Sequence, residues 1–366
     1  MRAAVLETYG QPLTIVDDVD IEPPHAGEVQ VRVEHCGVCH SDLSVVDGAL
    51  PAPVPTVLGH EAAGVVEALG EGVTNLAPGD RVVLTPCPPC GQCYYCQRGE
   101  FSICVNSMGL LTSTLPDGGT RLTRGAQQLY RGLAVGAFGE RVTVQEAAAV
   151  KVGDDVPLDV ACVIGCAVQT GVGAVVNTAR VEPGATVLVT GLGGVGLSIV
   201  QGAVVAGASR IIVSDPVEER RDAALRFGAT DAVDPDADNL VGVTRELTGG
   251  TGADYAFEAA GKAALIDAGL QATRSGGMTV IVGVPPLAES LTISPIAIFQ
   301  TTEKKLVGSL LGSVNARRDI PMLVALWQSG RLDLEGLVTQ RRPLEQINDA
   351  MDDLREARGI RTVLSF

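Results

Sequence analysis

Five of the nine cysteines fall in one stretch, PCPPCGQCYYCQRGEFSIC. Cys90, Cys93, Cys96 and Cys104 stand there in the pattern C-x2-C-x2-C-x7-C. Zinc prefers four thiolates in a tetrahedron, and C-x2-C steps let one loop wrap the ion. Four ligands leave no open position, so the predicted role is structural. Iron–sulfur ligation and free thiols compete with this reading, but the ferredoxin run continues to a C-P at shorter spacing. Cys87 lies just outside the pattern and reads as a bystander.

A second cluster is CGVCHSDLS at 36–44. Cys36 and Cys39 could be half of a zinc clip, a redox dithiol, or one corner of a catalytic metal site. A catalytic zinc needs three protein ligands and keeps the fourth place for water or substrate. The candidates are Cys39, His60 in VLGHEAAG and Cys166 in VIGCAVQTG. No local spacing connects these three.

A third set of residues is suited to a dinucleotide. TVLVTGLGGVG runs a β-branched strand into G-x-G-x-x-G at Gly191, Gly193 and Gly196, with Gly194 and Val195 between them. The glycines permit a tight turn, close approach to a pyrophosphate and close helix–strand packing, with the phosphates at a helix N-terminus. The helix-like LSIVQGAVVAGA follows, then a second strand, RIIVSD, ending at Asp215. An acid there is placed for the adenosine ribose hydroxyls and would repel a 2′-phosphate, which predicts NAD over NADP.

These residues need a scaffold. At 366 residues the chain exceeds one usual hydrophobic core, so two domains are expected. The N-terminal part reads as short strands (EVQVRVEHC, GVVEALG, DRVVLTP) among Gly and Pro turns, a compact β-rich domain. After Asp215, ERRDAALRFGA, ADYAFEAAG and GMTVIVGVPP alternate helical and β-branched segments, the rhythm of a doubly wound parallel sheet. The expected class is therefore α/β with a β-rich second domain.

A net charge of −16 argues against nucleic acid and anionic membranes as partners. The start, MRAAVLETYG, lacks an apolar h-region. Pro183–Ser209 has no charged residue, but its seven glycines suit a strand, turn and buried helix better than a membrane span. Clustered cysteines without an export signal suggest metal ligands in a cytoplasmic protein rather than disulfides.

In combination, CGVCHSD, GHEAAGVV, the four-cysteine lobe, GCAVQTGVGA, GLGGVGLS with SD, and the ending GIRTVLSF resemble the zinc-dependent medium-chain alcohol dehydrogenases. The resemblance runs essentially end to end and is nearest the long-loop, liver-type and class III-like branch, with bacterial relatives. It implies a GroES-like catalytic domain (1–167 and 311–366, with a zinc lobe at 87–105) and a Rossmann domain (168–310). It implies two zinc ions per subunit and reversible hydride transfer between a primary alcohol and NAD.

Residue by residue, the resemblance gives Cys39, His60 and Cys166 the catalytic zinc, with Glu61 behind as an occasional alternative ligand. Cys36 matches no ligand. Asp42 would accept from the second nitrogen of His60, and Ser41 would take the alcohol proton and pass it to the nicotinamide ribose. His40 would meet the pyrophosphate, Arg220 the adenosine ribose and Arg361 the phosphates. Thr170, Val195, Val282 and Val284 would hold the nicotinamide, and Gly283 would be a further cofactor contact. Strands near 300–313 would pair across a two-fold to give a homodimer, with a tetramer as the alternative.

Two features depart from the family. Ser44 stands where many relatives end a proton relay with histidine. Pro86 and Gly132 replace bulky pocket walls, with Leu50, Leu133 and Leu310 keeping the site apolar. This suggests room for an aryl, terpene or long primary alcohol, unless loop 105–140 refills the space. Met108 stands where glutathione-using formaldehyde dehydrogenases carry arginine, which disfavours a thiol-adduct substrate. A nicotinoprotein with permanently held NAD is the other rival.

Overall fold

The computed structural model describes all 366 residues, folded as two compact units. One comprises Met1–Ala167 with Asn315–Phe366, the other Val168–Val314.

In the first unit, alternating apolar residues of EVQVRVEHCG form the strand Glu28–Gly37, which buries Val29, Val31 and Val33. It lies at the heart of a seven-stranded sheet. Its antiparallel neighbours are Glu61–Leu69, Arg141–Gln145 and the C-terminal Arg361–Ser365. The last pairing is what ties the chain's end into this unit, with Val363 opposite Gly37. A four-stranded sheet containing Ala3–Leu6 and Thr56–Val57 packs into the same core, around Phe138, Leu58 and Leu129.

The second unit is a six-stranded parallel sheet. Its order in space is Asp231–Val233, Arg210–Ser214, Thr186–Thr190, Ala253–Glu258, Thr273–Ile281, Lys305–Gly308, every pairing parallel. Strand order therefore reverses between Thr186–Thr190 and Ala253–Glu258. That is the topological switch point of a Rossmann sheet, where ligands bind beyond the carboxyl ends of the strands. The expected α/β class holds.

The uncharged segment 183–209 resolves into the strand Thr186–Thr190 and the helix Gly194–Ala206. No single helix in the chain is long and apolar enough to cross a membrane.

Candidate metal centre and dinucleotide site

The first unit brings Cys39, His60 and Cys166 together: one ligand atom from each lies within 4.8 Å of the others, all three residues buried. They arrive from three different segments. Cys39 is the N-cap of the helix His40–Val46, His60 immediately precedes the strand Glu61–Leu69, and Cys166 ends the short turn Cys162–Gly165.

Asp42 holds two of them in place. It is fully buried, and its Oδ2 accepts the Cys39 backbone N–H at 3.1 Å, a helix-capping bond. Its Oδ1 accepts the Gly59 N–H at 3.0 Å and lies 3.2 Å from His60 Nδ1. The imidazole is thereby turned so that Nε2 remains for an ion. Burial alone would lower the His60 pKa, but Asp42 and Cys39 outweigh it and hold the ring well above its ordinary value. Cys39 is pulled well below the usual thiol range, first by the Cys166 thiol and then, against burial, by His60. Two thiols and an oriented imidazole form the donor set zinc takes, and one place in a tetrahedron remains unclaimed.

Glu61 and Arg361 lie behind this cluster. Glu61 is fully buried; its Oε1 accepts the Ala167 N–H at 2.8 Å, and its Oε2 lies 3.4 Å from Arg361 Nε. Burial pushes the Glu61 carboxyl up to about 7, against the pull of Arg361. Arg361, expected at the phosphates, is buried in this unit and donates from Nη1 to Val38 O at 2.9 Å. Gly37 explains itself here. A Cβ at that position would overlap the Glu61 carboxylate, so the glycine of CGVC makes room for it. His40 is exposed, and Ser41 and Ser44 are half-buried on the same helix.

Cys90, Cys93, Cys96 and Cys104 also converge within 4.8 Å. Backbone N–H groups point at the sulfurs: Cys93 N–H to Cys90 Sγ at 3.3 Å, Cys90 N–H and Asn106 N–H to Cys104 Sγ at 3.2 and 3.4 Å. The N–H groups of Cys96 and Val105 draw Cys93 down to about 6. Burial acts the other way on Cys96 and Cys104, pushing Cys104 up to about 12. Four converging cysteine sulfurs are the donor set of a structural zinc. Cys87 is outside the group, and burial pushes its thiol up to about 12. His25, Glu28 and Asp117 form a third potential cluster, but the Arg121 guanidinium already donates to both acids.

In the second unit the glycine motif sits at the switch point. Gly191 has φ +84°, a left-handed turn closed against Ala260, and a Cβ on Gly196 would overlap the Gly191 carbonyl. A Cβ at Gly193 would meet nothing within 4 Å. Two glycines pack the turn, and the third leaves its N-terminal face bare for a phosphate, with Gly194 and Val195 opening the helix.

Asp215 fastens this loop: Oδ2 accepts the Leu192 N–H at 2.7 Å and Oδ1 the Val217 N–H at 2.9 Å. Each oxygen keeps a lone pair for a ribose hydroxyl. Arg221, which the sequence did not single out, donates to the Asp215 carbonyl at 2.6 Å and to Asp234 at 2.9 Å. Arg220 is half-buried on the same helix. Val282 and Gly283 both donate backbone N–H groups to Glu258 O, at 2.9 and 2.8 Å, and Val284 follows exposed. Thr170 is buried with its hydroxyl unpartnered.

The widened pocket expected at Gly132 is absent at that residue. A side chain there would run into Leu58 Cδ2, and Leu133 is buried in the core with Leu58 and Phe138. The glycine accommodates a neighbour, not a ligand. Pro86 is buried and Leu50 half-buried, while Leu310 and Met108 are exposed.

Known proteins share this fold. Residues 25–154 match the model of the alcohol dehydrogenase GroES-like domain, and residues 194–329 that of the zinc-binding dehydrogenases. An alcohol dehydrogenase zinc-binding domain protein from Burkholderia ambifaria is 38% identical, over 100% of this chain and 98% of that one, with a TM-score of 0.94. Benzyl alcohol dehydrogenase from Acinetobacter calcoaceticus is 32% identical, over 100% and 99%, with a TM-score of 0.94. A zinc-binding dehydrogenase from Sinorhizobium meliloti 1021, solved bound to NADP, is 27% identical over 100% and 99%, with a TM-score of 0.82. With both domains matched and relatives above 30% identity aligned along their whole length, the chain is an oxidoreductase of the zinc-dependent medium-chain alcohol dehydrogenase family.

Proposed function

We propose that the protein interconverts an apolar primary alcohol and its aldehyde, using NAD and a zinc held by Cys39, His60 and Cys166. The observation that carries this reading is the buried three-residue donor set with one tetrahedral place left over. Bound zinc supplies Lewis acidity, lowering the pKa of an oxygen ligand. Asp42 keeps His60 oriented and its Nε2 available. Ser41, two residues after the Cys39 cap on the same helix, receives the alcohol proton and passes it on. Ser44 cannot titrate near neutral pH, so the proton leaves by water or the ribose. The second zinc sits on Cys90, Cys93, Cys96 and Cys104 and ties the lobe together.

NAD rather than NADP is supported by Asp215, whose carboxylate would face a 2′-phosphate; the NADP-bound relative makes this worth testing directly. An aromatic alcohol is supported by the likeness to benzyl alcohol dehydrogenase, not by Gly132. The exposed, uncharged Met108 offers no partner for a thiol adduct's carboxylates. A homodimer is supported by the outer strand Lys305–Gly308, which ends its sheet, and by the exposed Ile296 and Ile298 nearby. Nine cysteines without a disulfide suit the cytoplasm.

The test is NADH formation from NAD and a panel of primary alcohols from ethanol to benzyl and geranyl. Multiple turnovers, fastest with the aryl alcohols, are expected. Reduction of a dye acceptor without added NAD would replace this reading with a captive cofactor, and a strict thiol requirement with adduct oxidation.

A further inference from the structure

Two aspartates leave the parallel sheet side by side. The strands Arg210–Ser214 and Asp231–Val233 pair in parallel, with Ser214 opposite Val233. The next residue of each is an aspartate, Asp215 and Asp234. Both therefore stand at the carboxyl edge of the sheet, where a fold of this kind binds its nucleotide.

Arg221 joins them. It comes from the helix Glu218–Arg226, and only 13% of its side chain is exposed. Nη1 donates to the carbonyls of Asp215 and Pro216 at 2.6 and 3.0 Å, and Nη2 donates to Asp234 Oδ2 at 2.9 Å. Three of the five donors of the guanidinium are thus taken. Its charge is matched by Asp234, whose other oxygen accepts the Asp236 N–H at 3.0 Å. In sheets of this kind an arginine near the ribose acid can receive a 2′-phosphate, because its planar fork of N–H groups fits phosphate oxygens. Here such an arginine is bonded to the backbone of Asp215 and turned to a carboxylate instead.

We propose that Asp234 is a positioning residue for cofactor choice: it holds Arg221 in a closed ion pair and so withholds from a 2′-phosphate the cation fastened beside Asp215. This rests on the proposed preference for NAD and deepens it. Asp215 supplies the repulsion, and the Arg221–Asp234 pair removes the attraction that would offset it. Neither effect bears on NAD, whose 2′-oxygen is an uncharged hydroxyl.

The test is calorimetric titration of the full chain with NAD and with NADP, which reads binding without turnover. Wild type should bind NAD more tightly. Asp234→Asn keeps an oxygen for the Asp236 N–H and loses the charge, so Arg221 is released. The ratio of the NADP dissociation constant to that of NAD should then fall about fivefold or more, the scale of one charge several ångströms away near a protein surface. A merely structural loss would weaken both cofactors alike and leave the ratio where it was. Adding Arg221→Gln to the Asp234 variant should take the gain away. Asp234→Ser, which keeps a short acceptor for the turn, carries the same comparison if the asparagine variant does not fold. An unchanged ratio in the Asp234 variant, or a double variant that keeps the gain, overturns the proposal and leaves the preference for NAD standing. Wild type that binds NADP as tightly as NAD, or binds neither, overturns both.

Discussion

The imidazole of His60 lies 3.2 Å from the carboxylate of Asp42, and the other oxygen of that carboxylate caps the helix at Cys39. One buried acid therefore sets two metal ligands that are remote in sequence. Loss of such an outer partner typically costs about 10- to 100-fold in metal affinity. Asp42→Ala should release its catalytic zinc to a chelator at correspondingly lower concentration, read by metal analysis after dialysis. Retention equal to wild type would show that the ligands hold themselves in place.

The two zinc sites should fail differently. Cys104→Ala opens the four-thiol lobe, where backbone N–H groups converge on sulfur, and should lower the melting temperature and cost zinc together. Cys39→Ala should leave a folded protein that makes no NADH. Thermal unfolding followed by circular dichroism separates the two outcomes.

Ser44 lies on the Cys39-capped helix, and in the proposed proton path it stands where a titrating group is missing. Ser44→His should raise the alcohol oxidation rate below neutral pH, with little change at alkaline pH. A pH–rate profile superimposable on that of wild type would remove Ser44 from the proton path.

Asp215 should decide the cofactor. Asp215→Asn removes the charge while keeping an acceptor for one of its two backbone bonds. The ratio of kcat/KM for NAD to that for NADP should fall by about tenfold or more, on the scale of one charge repulsion near a protein surface. An unchanged ratio would place the discrimination elsewhere.

Glu258 gives a pH signature in the nucleotide-binding unit. It is 1% exposed, with one oxygen accepting the Ala260 N–H at 2.8 Å and the other unpartnered. Burial raises its pKa above the ordinary 4.5, against the pull of the backbone N–H groups. The folded state thus binds the proton more tightly than the unfolded chain. Its contribution is fully present below that ordinary value and is lost as pH rises through the raised one. Glu258→Gln should flatten this part of the stability profile and preserve the turn. Parallel profiles for variant and wild type, from about pH 4 to about pH 8, would contradict the assignment.

Much of this was readable in the chain because it is local. The four-cysteine lobe is one loop, so spacing alone exposes it. The strand, glycine turn and helix at 186–206 are contiguous, and Gly191, Gly193 and Gly196 divide their tasks as the motif predicts. Cys39, His60 and Cys166 are joined only by folding, through a helix cap, a strand start and a turn, so no spacing links them; family resemblance did. The Arg361–Glu61 pair and the packing of Leu58 onto Gly132 depend on which segments meet, which composition and periodicity do not encode.

One zinc on Cys39, His60 and Cys166, required for turnover, is the proposal on which the rest depends. Zinc content and NADH formation should be measured on the same preparations of wild type and Cys166→Ser, with circular dichroism as the check on folding. Two zinc ions per chain should fall to one, with turnover lost and the fold intact. A Cys166→Ser protein that keeps both ions and full turnover would contradict it.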